Sequence, residues 1–267
     1  MSVDYDAYHE GGRTAVFGDV FERVRVRTVG WILERERDLR TTGTLLDLGA
    51  GEGRYLPLWQ RVNPRAAIIA LEVSPLASER SARRHPAVRH LVADAQDIPL
   101  PAGSVDAVVS IEVIEHVPSG IGLLNEVSRV LRPGGWALLS TPCGNGGSFP
   151  WVLARLGGEL SVGEDGGVRF GRYDDPTHLR VYRQRELEAM CRASGFEVLR
   201  RYRSGHVFTH LAERLELAVK RRLDIRRRSA RAEELFSRAL DVFALIDLRV
   251  LRPLPNASTM LLVLRKE

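Results

Sequence analysis

The sequence predicts an α/β fold: a doubly wound, mostly parallel sheet of seven strands with an antiparallel final strand and a helical insertion. Three observations carry this. Short apolar runs recur at 44–49, 66–73, 88–93, 105–111 and 136–141. Each run is nearly continuous in its apolar character rather than alternating, as a strand covered on both faces requires. Helical segments belong between the runs, and strand–helix–strand alternation produces parallel neighbours.

In chain order, the apolar positions Val20, Val24, Val29, Ile32 and Leu33 give an amphipathic helix over about Asp19–Arg37. Ser74 followed by Pro75 reads as an N-cap and first helical position, and His85-Pro86 closes that helix. Leu123, Leu124, Val127, Val130 and Leu131 keep a helical period, after which "RPGG" at 132–135 forces a turn. The Gly-rich connection 142–182, with Trp151, Phe170 and Tyr173, is long enough to be a functional loop. A helix falls at 185–193. "GFEVLRRYR" (195–203) and "STMLLVLRK" (258–266) then read as the last two strands. Between them run two apolar stripes, Phe208, Leu211, Leu215, Val219 and Phe236, Leu240, Phe243, Ile246. The expected organisation is one domain, 1–267. It has an N-terminal helical cap at 1–40, a core at 41–204 and 256–267, and a helical insertion or lid at 205–255.

The hydrophobic fraction is 44% and the charged fraction 27%, as in soluble globular proteins. No stretch approaches the roughly 20 apolar residues of a bilayer span, and "MSVDYDAYHEGGR" lacks the apolar run of a secretory signal. A cytoplasmic enzyme is the expectation. Cys143 and Cys191 are isolated, which argues against a disulfide framework or a zinc site. The net charge of +5 and pI near 9.6 raise the question of nucleic acid. Of 39 basic residues 37 are arginine, however, so much of the basicity is chain-wide bias. One run stands out: Lys220, Arg221, Arg222, Arg226, Arg227, Arg228 and Arg231. It reads as a solvated helix face, with an anionic partner or peripheral membrane contact as the competing reading.

Chemistry concentrates in four ordered segments. In "LLDLGAGEGRY" (45–55) a strand ends and the chain turns on Gly49, Ala50, Gly51 and Gly53, where backbone can approach a ligand at the open end of a parallel strand. The spacing is G-x-G-x-G, not the G-x-G-x-x-G that seats a pyrophosphate. Asp47 would repel a pyrophosphate and attract an ammonium or sulfonium. Glu72, at the end of the second strand, suits the two hydroxyls of a ribose, a feature common to dinucleotide and sulfonium-nucleoside sites. "VADAQDIPLPAGSVDAVVS" (92–110) places Asp94 just after the third strand, as an adenine-amine acceptor or a helix N-cap. "IEVIEHV" (111–117) and "RVLRPGGWALLSTP" (129–142) complete the series.

Together these segments resemble the class I S-adenosylmethionine-dependent methyltransferases, in their small-molecule branch, over residues 44–200. The resemblance implies a Rossmann-like core and S-adenosylmethionine as cofactor. It implies that Asp47, Gly49, Ala50, Gly51 and Gly53 line the methionine part, Glu72 holds the ribose, and Val73 lies beside the adenine. Asp94 accepts from the adenine amine, the Ala95 backbone meets the ring, and Ile111 and Glu112 sit under the sulfonium. His116 would hold the cofactor loop together. His178, in "YDDPTHLRVY" (173–182), corresponds to a histidine at the mouth of the substrate pocket and is the candidate general base, with His116 the other candidate and a structural, loop-bonding histidine the alternative role for His178. Tyr5 and Tyr8 are candidates to cap the cofactor. Glu112, Glu115 and His116 resemble a patch that binds a divalent metal in some quinone-pathway O-methyltransferases. With no further ligand identifiable, no metal residue is assigned.

The acceptor this implies is a small or medium-sized molecule, lipid-like molecule or glycan, methylated on a hydroxyl. N- or C-methylation, RNA methylation and a non-catalytic cofactor-binding scaffold are the alternatives. A nucleic-acid amino-methyltransferase would carry an Asn/Asp-Pro-Pro-aromatic segment after the fourth strand. The chain has "SIEVIEHV" there, so nucleic acid is not the expected partner.

Overall fold

The computed structural model describes residues 19–36, 39–40, 43–162, 168–170, 177–223, 239, 247, 254 and 256–267. Its main sheet has seven strands: β1 (Thr44–Leu48), β2 (Ala67–Glu72), β3 (Arg89–Val92), β4 (Val105–Ile111), β5 (Leu131–Pro142), β8 (Phe196–Ser204) and β9 (Thr259–Lys266). Their order is β3-β2-β1-β4-β5-β9-β8. The first five pair in parallel, and β9 runs antiparallel between β5 and β8. The strand order reverses between β1 and β4, the switch point where doubly wound sheets open a crevice at the carboxyl ends of their strands.

The unbroken apolar runs have a direct structural cause. Leu46, Leu48, Ile69 and Leu71 face one core with α4 (Gly120–Val130) and α6 (Gln184–Ala193). Leu45, Ile68 and Ala70 face the other with α1 (Asp19–Arg35) and α2 (Leu56–Val62). Val20, Val24, Val29, Ile32 and Leu33 of α1 are all buried, as their spacing predicts. α3 (Pro75–Arg84) starts at Ser74, whose hydroxyl accepts from the Ala77 N–H, and ends at His85. Both cysteines are free and buried.

Four expectations are corrected. No helix joins β3 to β4: residues 93–104 are turns, so the strand–helix alternation fails at that step. "RPGG" does not separate helix from strand. It lies within β5 as an irregularity: Val105 pairs with Leu131 and Ala107 with Trp136, and Gly134 takes the excursion with φ +74°. The connection 142–182 is no plain loop. It carries α5 (Phe149–Leu156) and the short antiparallel pair β6 (Ser161–Val162) and β7 (Val168–Arg169), and returns beside β5 through a Cys143–Tyr182 bridge. Lastly, α7 (Val207–Leu223) turns the opposite face inward from the one its leucines suggest. Leu211 and Leu215 are exposed, while Thr209, His210, Ala212, Glu213 and Glu216 are buried. Polar pairing decides this, because Glu216 accepts the Val20 N–H of α1 at 3.0 Å. The second stripe, at 236–246, and Tyr5, Tyr8 and Tyr173 lie outside the described residues, as does most of the basic run.

Candidate functional site

The carboxyl ends of β1, β2 and β4 converge on the glycine turn. Gly49 and Ala50 donate N–H bonds to the Leu71 carbonyl at 2.8 and 3.0 Å, which ties the turn to β2. Gly49, Gly51 and Gly53 all have positive φ. A Cβ on Gly49 or Gly53 would collide with a neighbour, whereas one on Gly51 would meet nothing within 4 Å. That open space beside backbone is a cradle of the kind a nucleoside ligand needs. Glu72 is buried at the next strand end. Its Oε2 accepts the Gly51 N–H at 2.8 Å and its Oε1 the Ser74 N–H at 3.0 Å, so the carboxylate is locked in place.

Asp47 is buried on β1 and accepts the Trp59 indole N–H at 2.8 Å. Burial pushes its carboxyl up to about 7; the Trp59 bond opposes this and the nearby Glu72 charge adds to it. Asp94 is exposed. It accepts the Gln96 N–H at 2.8 Å in a tight turn, and with no helix following, the N-cap alternative is ruled out. Ala95 is buried behind it, and Val73 is 42% exposed.

Beyond β4 the chain turns at Glu112, the one non-glycine residue among those described with positive φ (56°). Glu112 accepts the Ser140 hydroxyl at 2.6 Å and pairs with Arg25 at 3.0 Å. Arg25 reaches across from α1 and also pairs with Glu22. Burial works against the Arg25 charge, but Glu112 and Glu22 outweigh it and hold the guanidinium above its ordinary value. Tyr55, which ends the glycine turn and stacks on Trp59, is held well above the ordinary phenol range by burial.

Past Glu112, the same loop meets the segment returning from the long connection. Glu115 is fully buried; its Oε2 accepts the Thr141 hydroxyl at 2.9 Å. Its carbonyl accepts the Leu179 and Arg180 N–H groups at 2.9 and 3.3 Å. Burial pushes the Glu115 carboxyl up to about 8, with Glu112 adding to the rise and His178 opposing it. His116 Nδ1 lies 3.2 Å from both the carbonyl and the hydroxyl of Thr177. The rings of His116 and His178 stand edge to face, 4.9 Å apart. One ligating atom each of Glu115, His116 and His178 falls within 4.8 Å of the others.

The structure therefore brings Asp47, Gly49, Ala50, Gly51, Gly53, Glu72, Ile111, Glu112 and His116 to the carboxyl ends of the central strands β1, β2 and β4, with His178 packed against His116. Val73, Asp94 and Ala95 stand at the ends of the outer strands. Glu112 and Glu115 do not form one patch, since Glu112 is taken up by Arg25 and Ser140. Sequence reasoning missed Arg25 and Tyr55. Nothing in the sequence signals Arg25, because its partner lies far along the chain and only α1 docking joins them.

This is the fold and glycine-turn site of the class I S-adenosylmethionine-dependent methyltransferases. The sequence model of the methyltransferase-domain family matches residues 21–201, and the chain belongs to that family. A probable S-adenosylmethionine-dependent methyltransferase of Mycolicibacterium smegmatis is 33% identical over 154 residues, 58% of this chain and 52% of that one. A malonyl-[acyl-carrier protein] O-methyltransferase of Marinomonas is 36% identical over 107 residues, 39% of each chain. The chain thus spans about half, or less, of the length of these relatives. Among solved structures, the methyltransferase of Haloferax volcanii in complex with the Trm112 activator superposes with a TM-score of 0.63. It covers 100% of this chain and 99% of that one at 17% identity, a likeness of fold.

Proposed function

We propose that the chain transfers a methyl group from S-adenosylmethionine to a hydroxyl of a small or medium-sized acceptor, such as a metabolite, lipid, quinone precursor or glycan, in the cytoplasm. Bound S-adenosylmethionine supplies an electrophilic methyl group on a cationic sulfur. Asp47, Gly49, Ala50, Gly51 and Gly53 are assigned to its methionine part, Glu72 to the ribose hydroxyls, and Val73, Asp94 and Ala95 to the adenine. Glu72 suits its role because its carboxylate is pinned at the carboxyl end of β2 beside the glycine turn, and Gly51 because the space where a side chain would stand is open. Ile111, Glu112 and His116 are assigned to the sulfonium end.

The observation that carries the hydroxyl reading is the cluster of Glu115, His116 and His178. Methyl transfer to a hydroxyl needs a group that removes a proton as the oxygen attacks, and an imidazole at the cleft mouth is suited to it. His178 is assigned that role. The O-methyltransferase named above among the relatives fits this chemistry. The experiment is transfer of labelled methyl from S-adenosylmethionine into the host's metabolite extract, followed by chemical typing of the product. His178→Ala should cut transfer about 100-fold or more while leaving cofactor affinity, read by calorimetry, unchanged. Label on nitrogen or carbon alone would end the hydroxyl reading, and no cofactor binding would end the whole proposal.

A further inference from the structure

Resting on that hydroxyl-methylation reading, we propose that Glu115 is the positioning residue of the base. Its carboxylate orients His178 and stabilises the charge His178 gains on taking the acceptor's proton. One oxygen of Glu115 is committed to Thr141. The other, Oε1, is buried and has no hydrogen-bond partner. A buried carboxylate oxygen without a donor is costly, so an unpaired one beside two imidazoles calls for a partner that charges during function. The side chains placed to supply that donor are the two imidazoles. His116 already directs its Nδ1 at Thr177. His178 stands on the strap whose next two N–H groups bond the Glu115 carbonyl. One glutamate thus holds the strap through its main chain and faces the strap's histidine through its side chain.

The charges around the pair favour this division of labour. Glu112 lies on the same loop, with its own cation in Arg25; Tyr55 stands beside those two. His116 adjoins, and Arg180 on the strap is bound to Glu186. A proton on His178 would relieve the crowding of Glu115 by Glu112, because an opposite charge at this range favours both ionised forms. In the reaction, the acceptor's O–H bond breaks, its proton passes to His178 and its oxygen forms the new bond to the methyl carbon. The methyl–sulfur bond breaks with its electron pair going to sulfur, which becomes neutral. Glu115 acts as the ionised carboxylate, the form that a charged His178 favours against burial and Glu112, as in hydrolases whose carboxylate orients a histidine.

The test is a histidine titration by NMR on the full chain with labelled imidazoles, assigned with His116→Asn and His178→Asn. In the wild type the His178 midpoint should lie above the ordinary histidine value. In Glu115→Gln it should fall by about one pH unit or more, and Glu115→Asp should recover most of the difference. A midpoint unmoved by Glu115→Gln overturns the proposal. Should both variants fail to fold, a wild-type midpoint at or below the ordinary value overturns it too. Labelled-methyl transfer into host extract is the second readout. Glu115→Gln should lose about 10- to 100-fold in rate with cofactor affinity unchanged and Glu115→Asp partly active. Loss of transfer on chelation with EDTA, restored by manganese or zinc, would overturn the proposal in favour of a cation held by the same three groups. If the wild type labels nothing while the titration behaves as expected, the hydroxyl-methylation reading fails and the Glu115–His178 pairing survives.

Discussion

A Cβ on Gly49 would lie 2.4 Å from Val113 and one on Gly53 2.4 Å from the Ser81 hydroxyl, but one on Gly51 meets only open space. All three need positive φ, so each alanine costs about 1 kcal/mol in backbone strain. The collision at Gly49 adds to this. Gly49→Ala is expected to lower stability by about 2–4 kcal/mol, read as a drop in melting temperature. Gly51→Ala should fold with a much smaller loss, yet weaken S-adenosylmethionine binding about tenfold or more by calorimetry. Wild-type affinity in Gly51→Ala would mean the cradle holds something else. Asp47 gives a second prediction at this scale. Its carboxyl is raised from 3.8 to about 7 by burial, so the folded chain keeps a proton that the unfolded chain has released. Stability from this group is complete below about pH 4 and is lost as pH rises through about 7. Asp47→Asn keeps an oxygen for the Trp59 indole and removes the titration. Its melting temperature relative to wild type should climb by several degrees between pH 5 and pH 8. A constant difference across that range would show that Asp47 does not titrate there.

Elements place what residues alone cannot. α1 presents Arg25 to Glu112 across the top of the sheet, and both side chains are largely shielded, at 14% and 13% exposed. Removing one partner of such a pair leaves the other desolvated and alone, at a cost of about 3 kcal/mol or more. Arg25→Met should destabilise the chain by that order in urea unfolding, and Arg25→Met with Glu112→Gln should recover a good part of it. An additive double mutant would show that the pair is not coupled. This is also where the sequence stops being legible. β1, β2, β4 and β9 were legible because they are buried along almost their whole length and so are mainly apolar, whereas β3 and β8 are largely exposed and carry charged residues. Helix α3 was legible because Ser74, Pro75 and His85-Pro86 mark its ends in local chemistry. The turns at 93–104 were read as a helix because the alternation rule was extended where no helical period supports it. The inward face of α7 was misread because burial there follows Glu216 and its bond to α1, which no apolar stripe reports. Within the site, Glu72 and the glycines were legible from strand-end position. Glu115 lay in view, but its relation to His178 depends on how the connection 142–182 returns to β5.

At the scale of the molecule the question is what the region 205–255 covers. α7 belongs to the body of the fold rather than to a detachable lid. It docks on α1 through Glu216, and its first turn is held by Asp247, which accepts the Phe208 and Thr209 N–H groups at 3.2 and 2.6 Å. His210 bonds Ser258 just before β9 at 2.9 Å. A deletion of 208–250 would therefore strip structural bonds and confound any effect on turnover. The informative excision removes 225–244 and keeps both α7 and Asp247. Because Asp247 sits at the start of α7 and Leu223 at its end, the replacement must run back along the helix, about 25 Å at 1.5 Å per residue. A Gly/Ser linker of about twelve residues spans that without tension. If the excised segment covers an amphipathic or anionic acceptor, as its apolar stripe and arginines suggest, methyl transfer into host extract should fall about 100-fold or more. Cofactor affinity should stay within about threefold, less than 1 kcal/mol. Full transfer by the excised chain would mean that the segment does not touch the acceptor. Collapse of cofactor binding along with transfer would assign it to the scaffold.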